Sequence, residues 1–372
     1  MNPPRFLQLL GLSGFLFLPG MASAQESTVA ELWLAKAGPI PAFSIPATQA
    51  DWEKRRPVIR ATLEKLLGGL PPRPTHLKVE TLSREDKGHC WQEKFQFDNG
   101  AGETVAGHVF IPKSASADHP APAILYCHWH GGQYDIGKDE LLGVNPAIPY
   151  PPGETLAKQG YVVLAIDACG FGERHGQGPD GPAQKGSAAE MSAAKFNLWL
   201  GRTLWGMIVR DDRIALDYLA SRPEVNATRI GVTGISMGST RAWWLMALDD
   251  RPRAAVCVAC MTRYEELIQT GMLKAHGIYY FVPGLLKHFD TEAILALAAP
   301  RPMLFMTGDQ DAGSPIDGVK KLGSLVQPIY NLHGNGAAKK FESVIYPGLG
   351  HVYTPEMWTR MEAWFEKWLR AE

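Results

Sequence analysis

Cysteine is scarce in this chain: 372 residues contain five, an odd number that cannot all pair within one molecule. Cys127 and Cys257 fall in strand-like apolar runs, where a small buried thiol is ordinary. Cys257 and Cys260, read as parts of one strand, point to opposite faces and cannot easily bond to each other. At most one disulfide is expected, with no strong candidate pair. Charge of one sign is missing as well. The 37 basic and 38 acidic residues leave a net charge of −1 and form no blocks, so neither nucleic acid nor an anionic membrane surface is an expected partner. Internal repeats are absent. Beyond the first two dozen or so residues, no apolar stretch is long enough to cross a bilayer.

Those first residues read as an export leader. Arg5 supplies a positive start, Phe6 to Leu18 is apolar but too short to span a membrane, and Ala22-Ser23-Ala24 is an A-x-A cleavage site. A lipid-anchored protein would carry cysteine just after the cut, and Gln25 stands there. The mature protein is therefore expected to begin at Gln25, to be secreted or periplasmic, and to have no membrane attachment once the leader is removed.

Hydrophobic periodicity organises the remainder. Trp52, Ile59, Leu63, Leu66 and Leu67 share one face of a predicted helix over Asp51 to Leu67. From Leu77 to Pro112, alternating residues with glycine turns predict antiparallel hairpin structure. From Ala121 onward, short continuous apolar runs alternate with helical segments, the pattern of buried parallel strands with crossover helices. The runs are 123–127, 161–166, 229–233, 254–259, 302–307 and 341–346; predicted helices include 204–219, 239–248, 291–297, 316–325 and 355–369. Gly172 to Lys195, rich in Gly, Ala, Ser and Gln, reads as a mobile loop. Thr262 to Asp290 is an aromatic-rich insertion.

In sheets of this type, ligands sit beyond the carboxyl ends of the strands, and the chemically suggestive residues fall there. The third run leads into Gly234-Ile-Ser236-Met-Gly238, a G-x-S-x-G pattern between strand and helix. Its glycines leave space for a strained turn that exposes the serine hydroxyl, and the free N–H groups of the helix start face any negative charge that develops there. The first run ends in His128-Trp-His-Gly-Gly132, a loop able to turn a backbone N–H toward the serine. His128 and His130 could instead bind a metal, but no H-x-x-E-H or carboxylate-rich partner set accompanies them. Asp167, after the second run, reads as the cap of a tight turn. The fifth run leads into two candidate acids, Asp309 and Asp311. An acid must clear the strand end before it can turn toward a histidine, which favours Asp311, although an extended segment would point both the same way. The sixth run ends in a glycine-flexed loop carrying His351. Ser236, Asp311 and His351 thus occur in the chain order nucleophile, acid, base.

These motifs resemble the α/β-hydrolases, specifically the secreted branch near dienelactone hydrolases and acetyl xylan esterases. The resemblance runs from about Asp51 to the C-terminus. It is carried by His128–Gly132, Asp167-x-x-Gly-Phe-Gly172, Trp205-Gly206 with Arg210-Asp211, Arg229–Gly238, Gly308 and Asp311 with Pro315, and Gly350-His351. It implies the α/β-hydrolase fold: a mostly parallel, doubly wound sheet with an N-terminal antiparallel hairpin and flanking helices. It also implies Ser236 as nucleophile, Asp311 as acid, His351 as base and the Met237 N–H as first oxyanion donor. The family's usual His-Gly-x appears here as His128-Trp129-His130, which leaves the second donor open between His130 and Gly131. The expected division is a leader over 1–24, an arm over 25–75 and a catalytic domain over 76–372.

The chemistry expected is two-step acyl transfer on a carboxylic ester, requiring neither metal nor organic cofactor. About 40 residues separate the fourth run from the fifth, too few for a deep cap. Short-acyl esters of small molecules or carbohydrates are therefore the expected substrates, with Trp129, Tyr279 and Tyr280 as candidate contacts. A serine peptidase of the prolyl oligopeptidase type would use the same core, but the ~200 residues before Ser236 already contain the start of the sheet and leave no space for a propeller. A non-catalytic binding protein is the remaining alternative, and the complete set of three residues argues against it.

Overall fold

The computed structural model describes residues 28–334 and 336–370; the leader and the Ala24–Gln25 cleavage site lie outside the described residues. Helices α1 (Val29–Ala37) and α2 (Gln49–Leu67) precede an antiparallel meander of β1 (Val79–Asp86), β2 (Cys90–Asp98) and β3 (Thr104–Pro112). The chain then alternates: β4 (Ala121–Cys127), α3 (Pro152–Lys158), β5 (Val162–Ile166), α4 (Gly186–Trp199), α5 (Leu204–Ser221), β6 (Val225–Ile235), α6 (Met237–Leu248) and β7 (Pro252–Val258). It closes with α7 (Tyr264–Gln269), α8 (Thr291–Ala296), β8 (Met303–Gly308), α9 (Ile316–Asn331), β9 (Phe341–Tyr346) and α10 (Pro355–Phe365), which continues as a π turn over Glu366–Arg370.

The described residues form one nine-stranded sheet in the order β1-β2-β3-β5-β4-β6-β7-β8-β9. Pairing is antiparallel from β1 to β5 and parallel from β5 to β9. This is the mostly parallel, doubly wound sheet with an antiparallel N-terminal hairpin that the alternation of runs implies. The chain leaves β4 for β5 on one side and returns past β4 to β6 on the other. Strand order therefore reverses at β4, and the crevice above such a reversal is where ligands bind in open α/β sheets.

Alternation along the parallel strands feeds two cores. Leu125, Leu164 and Val232 pack with Trp52, Trp205, Trp243 and Trp244 on one face. Ile124, Tyr126 and Val163 pack with Trp358, Met361 and Phe365 on the other. Strands β5 and β8 are buried throughout and β4 nearly so, which explains why they read as continuous apolar runs, while β9 at the edge is half-buried.

Helix α2 is part of the first core. Trp52, Ile59, Leu63 and Leu67 are buried along one face, as their spacing predicts, with Trp52 packed edge-on against Phe43. At the helix surface, Arg60 grips Asp250 with two 2.7 Å hydrogen bonds and Arg56 adds one at 3.0 Å.

Two expectations need correction. The segment over 172–195 is not a continuous loop: its second half is α4. Alanines at 188, 189, 193 and 194 favour helix strongly enough to outweigh the flanking glycines. The strand holding Cys257 ends at Val258, and Ala259 and Cys260 turn through left-handed φ values of 58° and 52°. Cys260 thus leaves the sheet rather than facing away from Cys257 across it. All five cysteines are free thiols.

Burial and surface charge make distinct predictions for α2. Trp52→Ala should cost about 3–5 kcal/mol, the usual loss for a large buried aromatic. Asp250→Asn should cost about 1 kcal/mol at most, because the Asp250 side chain is 60% exposed and its pairs are solvent-screened. The Arg60 hydrogen bonds hold the Asp250 carboxyl down to about 2. Its small contribution should accordingly be complete above about pH 4 and disappear as pH falls through about 2. Thermal melts of both variants across that range are the check.

Candidate active site

The carboxyl ends of β4, β6 and β7 meet at Ser236. Cys127 of β4 lies in register with Gly234 of β6, so the loop after β4 borders the turn that carries the serine. Ser236 has φ 59° and ψ −120°, a strained conformation for a residue with a side chain. Its N–H is anchored to the Val258 carbonyl at 2.9 Å, and its carbonyl accepts from Thr240 N–H at 3.0 Å. The two glycines of the pentapeptide are needed here for space. A Cβ on Gly234 would stand 2.2 Å from the Cys127 carbonyl oxygen, and one on Gly238 would stand 2.0 Å from it. Met237 opens α6, so its N–H has no intrahelical acceptor, and among the described residues it has none elsewhere.

The loop after β4 is fixed from several sides. Glu140, fully buried, accepts the Trp129 N–H at 3.2 Å, the Tyr126 hydroxyl at 2.7 Å and the Asn145 amide at 2.9 Å. His128 accepts the Ala168 N–H at Nε2 and so donates from Nδ1 to the Trp129 carbonyl. Burial, reinforced by the Arg241 charge, lowers its pKa well below the ordinary histidine value and keeps the ring neutral. His130 accepts the Gly132 N–H at Nδ1 and meets Glu190 at Nε2, 2.8 Å away. All four ring nitrogens of this His-x-His pair therefore have protein partners. Among the described residues, no group of three or more His, Cys, Asp or Glu has the arrangement to hold a metal ion. With the Trp129 and Gly132 amides engaged, the His130 and Gly131 N–H groups are left without acceptors among the described residues.

Beyond β8 the chain turns at once, with Asp311 N–H bonded to the Gly308 carbonyl, and the two candidate acids diverge. They do not point the same way, as an extended segment would require. Asp309 accepts the Gly348 N–H at 2.7 Å and so pins the turn after β9. Asp311 is buried; one oxygen accepts the Gly313 N–H and the other lies 2.9 Å from His351 Nδ1. Burial pushes the Asp311 carboxyl upward. The His351 hydrogen bond and charge outweigh that and hold it below the usual aspartate value. This pairing leaves His351 Nε2 as the nitrogen available to the serine. Among the described residues no hydrogen bond joins them, and the Ser236 hydroxyl has Cys260 Sγ 3.9 Å away.

The aromatic candidates separate. Trp129 is half-buried, with its ring 6.2 Å from that of His351. Tyr279 is buried and stacks on His130 at 5.0 Å. Tyr280 is also buried and stacks on His276 at 4.3 Å, while His276 bonds the Gly313 carbonyl beside Asp311. Tyr280 also lines an apolar groove of about 750 Å³ formed with Trp33 and Leu34 of α1, whose walls include none of Ser236, Asp311 and His351. The 262–290 insertion contains α7 and three short 3-10 turns, with no folded cap. Asp167, fully buried, accepts the Lys138 and Glu173 amides and ion-pairs with Lys138, which is structural work of the kind its turn position implies.

Sequence reasoning missed Glu140, Glu190, Cys260 and His276. A single carboxylate or thiol carries no spacing signature. The one available signal was the helical composition around Glu190, which would have given that residue a fixed face.

A sequence model of the Abhydrolase family matches residues 24–321, a span that includes Ser236 and Asp311 and ends before His351. The chain is similar to YtaP of Bacillus subtilis (strain 168), named as a candidate hydrolase, with 38% identity over 311 residues, 83% of this chain and 98% of that protein. Among solved structures it is similar to a candidate acetyl xylan esterase from Bacteroides fragilis NCTC 9343, with TM-score 0.71, 20% identity and coverage of 91% of this chain and 93% of that one. A glucuronoyl esterase from Solibacter usitatus gives TM-score 0.64 and 20% identity over 88% of this chain and 98% of that one. Likeness at such identities is a likeness of fold.

The fit around Gly238 generates a test. Gly238→Ala should force the Ser236 turn away from the Cys127 carbonyl and cost about 1–3 kcal/mol or more, as overpacking does. Denaturant unfolding would show it; a variant as stable as the parent would mean that the contact is looser than 2.0 Å.

Proposed function

With the chain belonging to the Abhydrolase family, we propose that it is a serine carboxylic-ester hydrolase. One observation carries the reading: a serine sits on a strained strand-to-helix turn, in a sheet whose neighbouring strand ends lead into unpaired backbone amides at His130 and Gly131 and into an Asp311–His351 pair. In this mechanism His351 Nε2 takes the Ser236 proton as the hydroxyl attacks the ester carbonyl. Asp311 holds the imidazole by Nδ1 and stabilises its positive charge. The Met237 N–H and that of His130 or Gly131 receive the oxyanion, each donor worth about 3–4 kcal/mol at most. The alcohol leaves with the proton from His351, and water, activated by the same nitrogen, releases the acid. Hydrogen bonds of this kind are commonly long before substrate binds and tighten in the complex.

Small acyl groups fit best, because among the described residues the 262–290 insertion builds no folded cap over the serine. Trp129 beside His351 is the proposed contact for the alcohol side, and Tyr279 lies one layer further in, against His130. The names of the structural neighbours, acetyl xylan esterase and glucuronoyl esterase, support carbohydrate esters as the substrate class. The N-terminal leader supports export with cleavage after Ala24, leaving an arm over 25–75 on a catalytic domain over 76–372.

Activity on p-nitrophenyl acetate, abolished in Ser236→Ala, is the primary test. Asp311→Asn should lower kcat by about 10⁴-fold, because the imidazole loses its orienting anion. Asp309→Asn should cost far less, since its side-chain oxygen can still accept the Gly348 N–H. The reverse ranking would overturn the assignment.

The acyl-chain profile is a second test. A long chain at an open site leaves methylenes in water and forfeits about 0.8 kcal/mol for each one not buried. We expect kcat/KM to fall steeply from acetyl or butyryl to dodecanoyl esters, with no activation at a lipid interface. A maximum at long chains would identify a lipase-like enzyme instead.

A further inference from the structure

The acyl-transfer reading requires the amide of His130 or Gly131 to be held toward Ser236, and one of the ties on that loop runs through the imidazole of His130. We propose that Glu190, on helix α4, is a positioning residue for the oxyanion loop. It acts by fixing the tautomer and orientation of His130; the inference rests on the esterase reading above.

The loop has little stiffness of its own, because Gly131 and Gly132 both sit at left-handed φ values, 50° and 71°. Its backbone is closed by two local bonds, from the Gln133 N–H to the His130 carbonyl at 2.8 Å and from the Gly132 N–H to His130 Nδ1 at 3.0 Å, and only the second passes through the imidazole. An Nδ1 that accepts carries no proton, so the ring proton is on Nε2 and is donated to Glu190 Oε2 at 2.8 Å. The two imidazole bonds are coupled through the ring. If the Nε2–H had no acceptor, the imidazole could take its other tautomer or rotate. Nδ1–H would then face the Gly132 N–H, donor against donor, and the Gly131–Gly132 segment would lose that tie.

The surroundings are built around this pair. The Glu190 side chain is 5% exposed and also accepts the Tyr134 hydroxyl at 3.3 Å. The His130 ring is stacked by Tyr279 and flanked edge-on by Tyr134 and Phe171. Gly277, two residues before Tyr279, leaves the carboxylate its space: a Cβ there would come within 2.6 Å of Glu190 Oε1. A methyl group at 277 would press on Glu190 and also on the Tyr279 ring, 2.8 Å away, so it would disturb both supports of the His130 imidazole without altering His130 or Glu190 themselves. Ligand-orienting carboxylates behind histidines act in the same way, by choosing which nitrogen bears the proton.

The experiment uses the mature protein with Glu190→Leu, Glu190→Gln and Gly277→Ala. It measures kcat and KM on p-nitrophenyl acetate, inhibition by butylboronic acid, which forms a tetrahedral adduct on the serine, and thermal stability. Glu190→Leu should lower kcat about 10–100-fold with KM within about threefold, and boronic acid affinity should fall in parallel with kcat. Glu190→Gln, whose amide oxygen can still accept the Nε2–H, should stay within about threefold of the parent. Gly277→Ala should lower kcat although Glu190 is present. A folded Glu190→Leu with unchanged kcat, a loss expressed only in KM with boronic acid affinity unaltered, or a Glu190→Gln as damaged as Glu190→Leu would each overturn the proposal. If Glu190→Leu does not fold, Glu190→Ala, which removes the acceptor without adding a branched side chain, decides: parent-like kcat refutes the proposal, and a kcat loss with parent-like melting and a parallel loss of boronic acid affinity supports it. Absence of ester turnover in the parent would refute the esterase reading itself, an outcome distinct from parent activity that Glu190→Leu leaves intact.

Discussion

The close approach of β4 to the turn between β6 and α6 is the contact on which much of the remaining architecture depends. With Cys127 paired to Gly234, the carbonyl of Cys127 lies where any Cβ on Gly234 or Gly238 would stand. That contact brings the loop after β4 beside Ser236 and lets α6 begin directly behind the serine. The strain at Ser236 is sustained by its anchoring to Val258 and by a core in which every residue of α6 is buried. Strained backbone persists only where the surroundings over-determine it. Here they do so through the parallel sheet, whose register leaves the turn no alternative position.

Around this centre, buried carboxylates give shape to loops that would otherwise be undetermined. Glu140 holds the Trp129 amide, Asp167 holds the amides of Lys138 and Glu173, and Asp290 holds those of Tyr264, Glu265 and Thr291. Arg241, on the helix that starts at the serine, and Asp212, on α5, form a buried two-pronged pair. Burying such charges is costly, and an apolar replacement of the same shape is often as stable. Their contribution here is directional. A carboxylate accepts several backbone amides at defined angles, which an apolar contact cannot do, and the amides left unpaired are consequently at particular places.

The same reasoning separates the two aspartates after β8. They are two residues apart in sequence and alike in chemistry, yet the turn at Gly308 sends Asp309 to the backbone of Gly348 and Asp311 to the ring of His351. Each pins a different part of the segment after β9. The position of His351 therefore depends on two neighbouring loops as well as on its own.

The sequence by itself determined the sheet and the order of its parts. Hydrophobic periodicity is a local property, and strands buried on both faces announce themselves as continuous apolar runs. The meander, the six parallel strands and the buried face of α2 were legible for that reason, and the strand–turn–helix context of Gly234–Gly238 marked Ser236 as a candidate. Tertiary structure alone decided which amides remain free, which nitrogen of His130 bears its proton, and that Cys260 turns out of the sheet to lie beside the serine. It also aimed Glu190 at a loop 60 residues away in sequence. Those outcomes depend on distances between segments remote in the chain. A lone glutamate or cysteine carries no periodicity from which such a distance could be read.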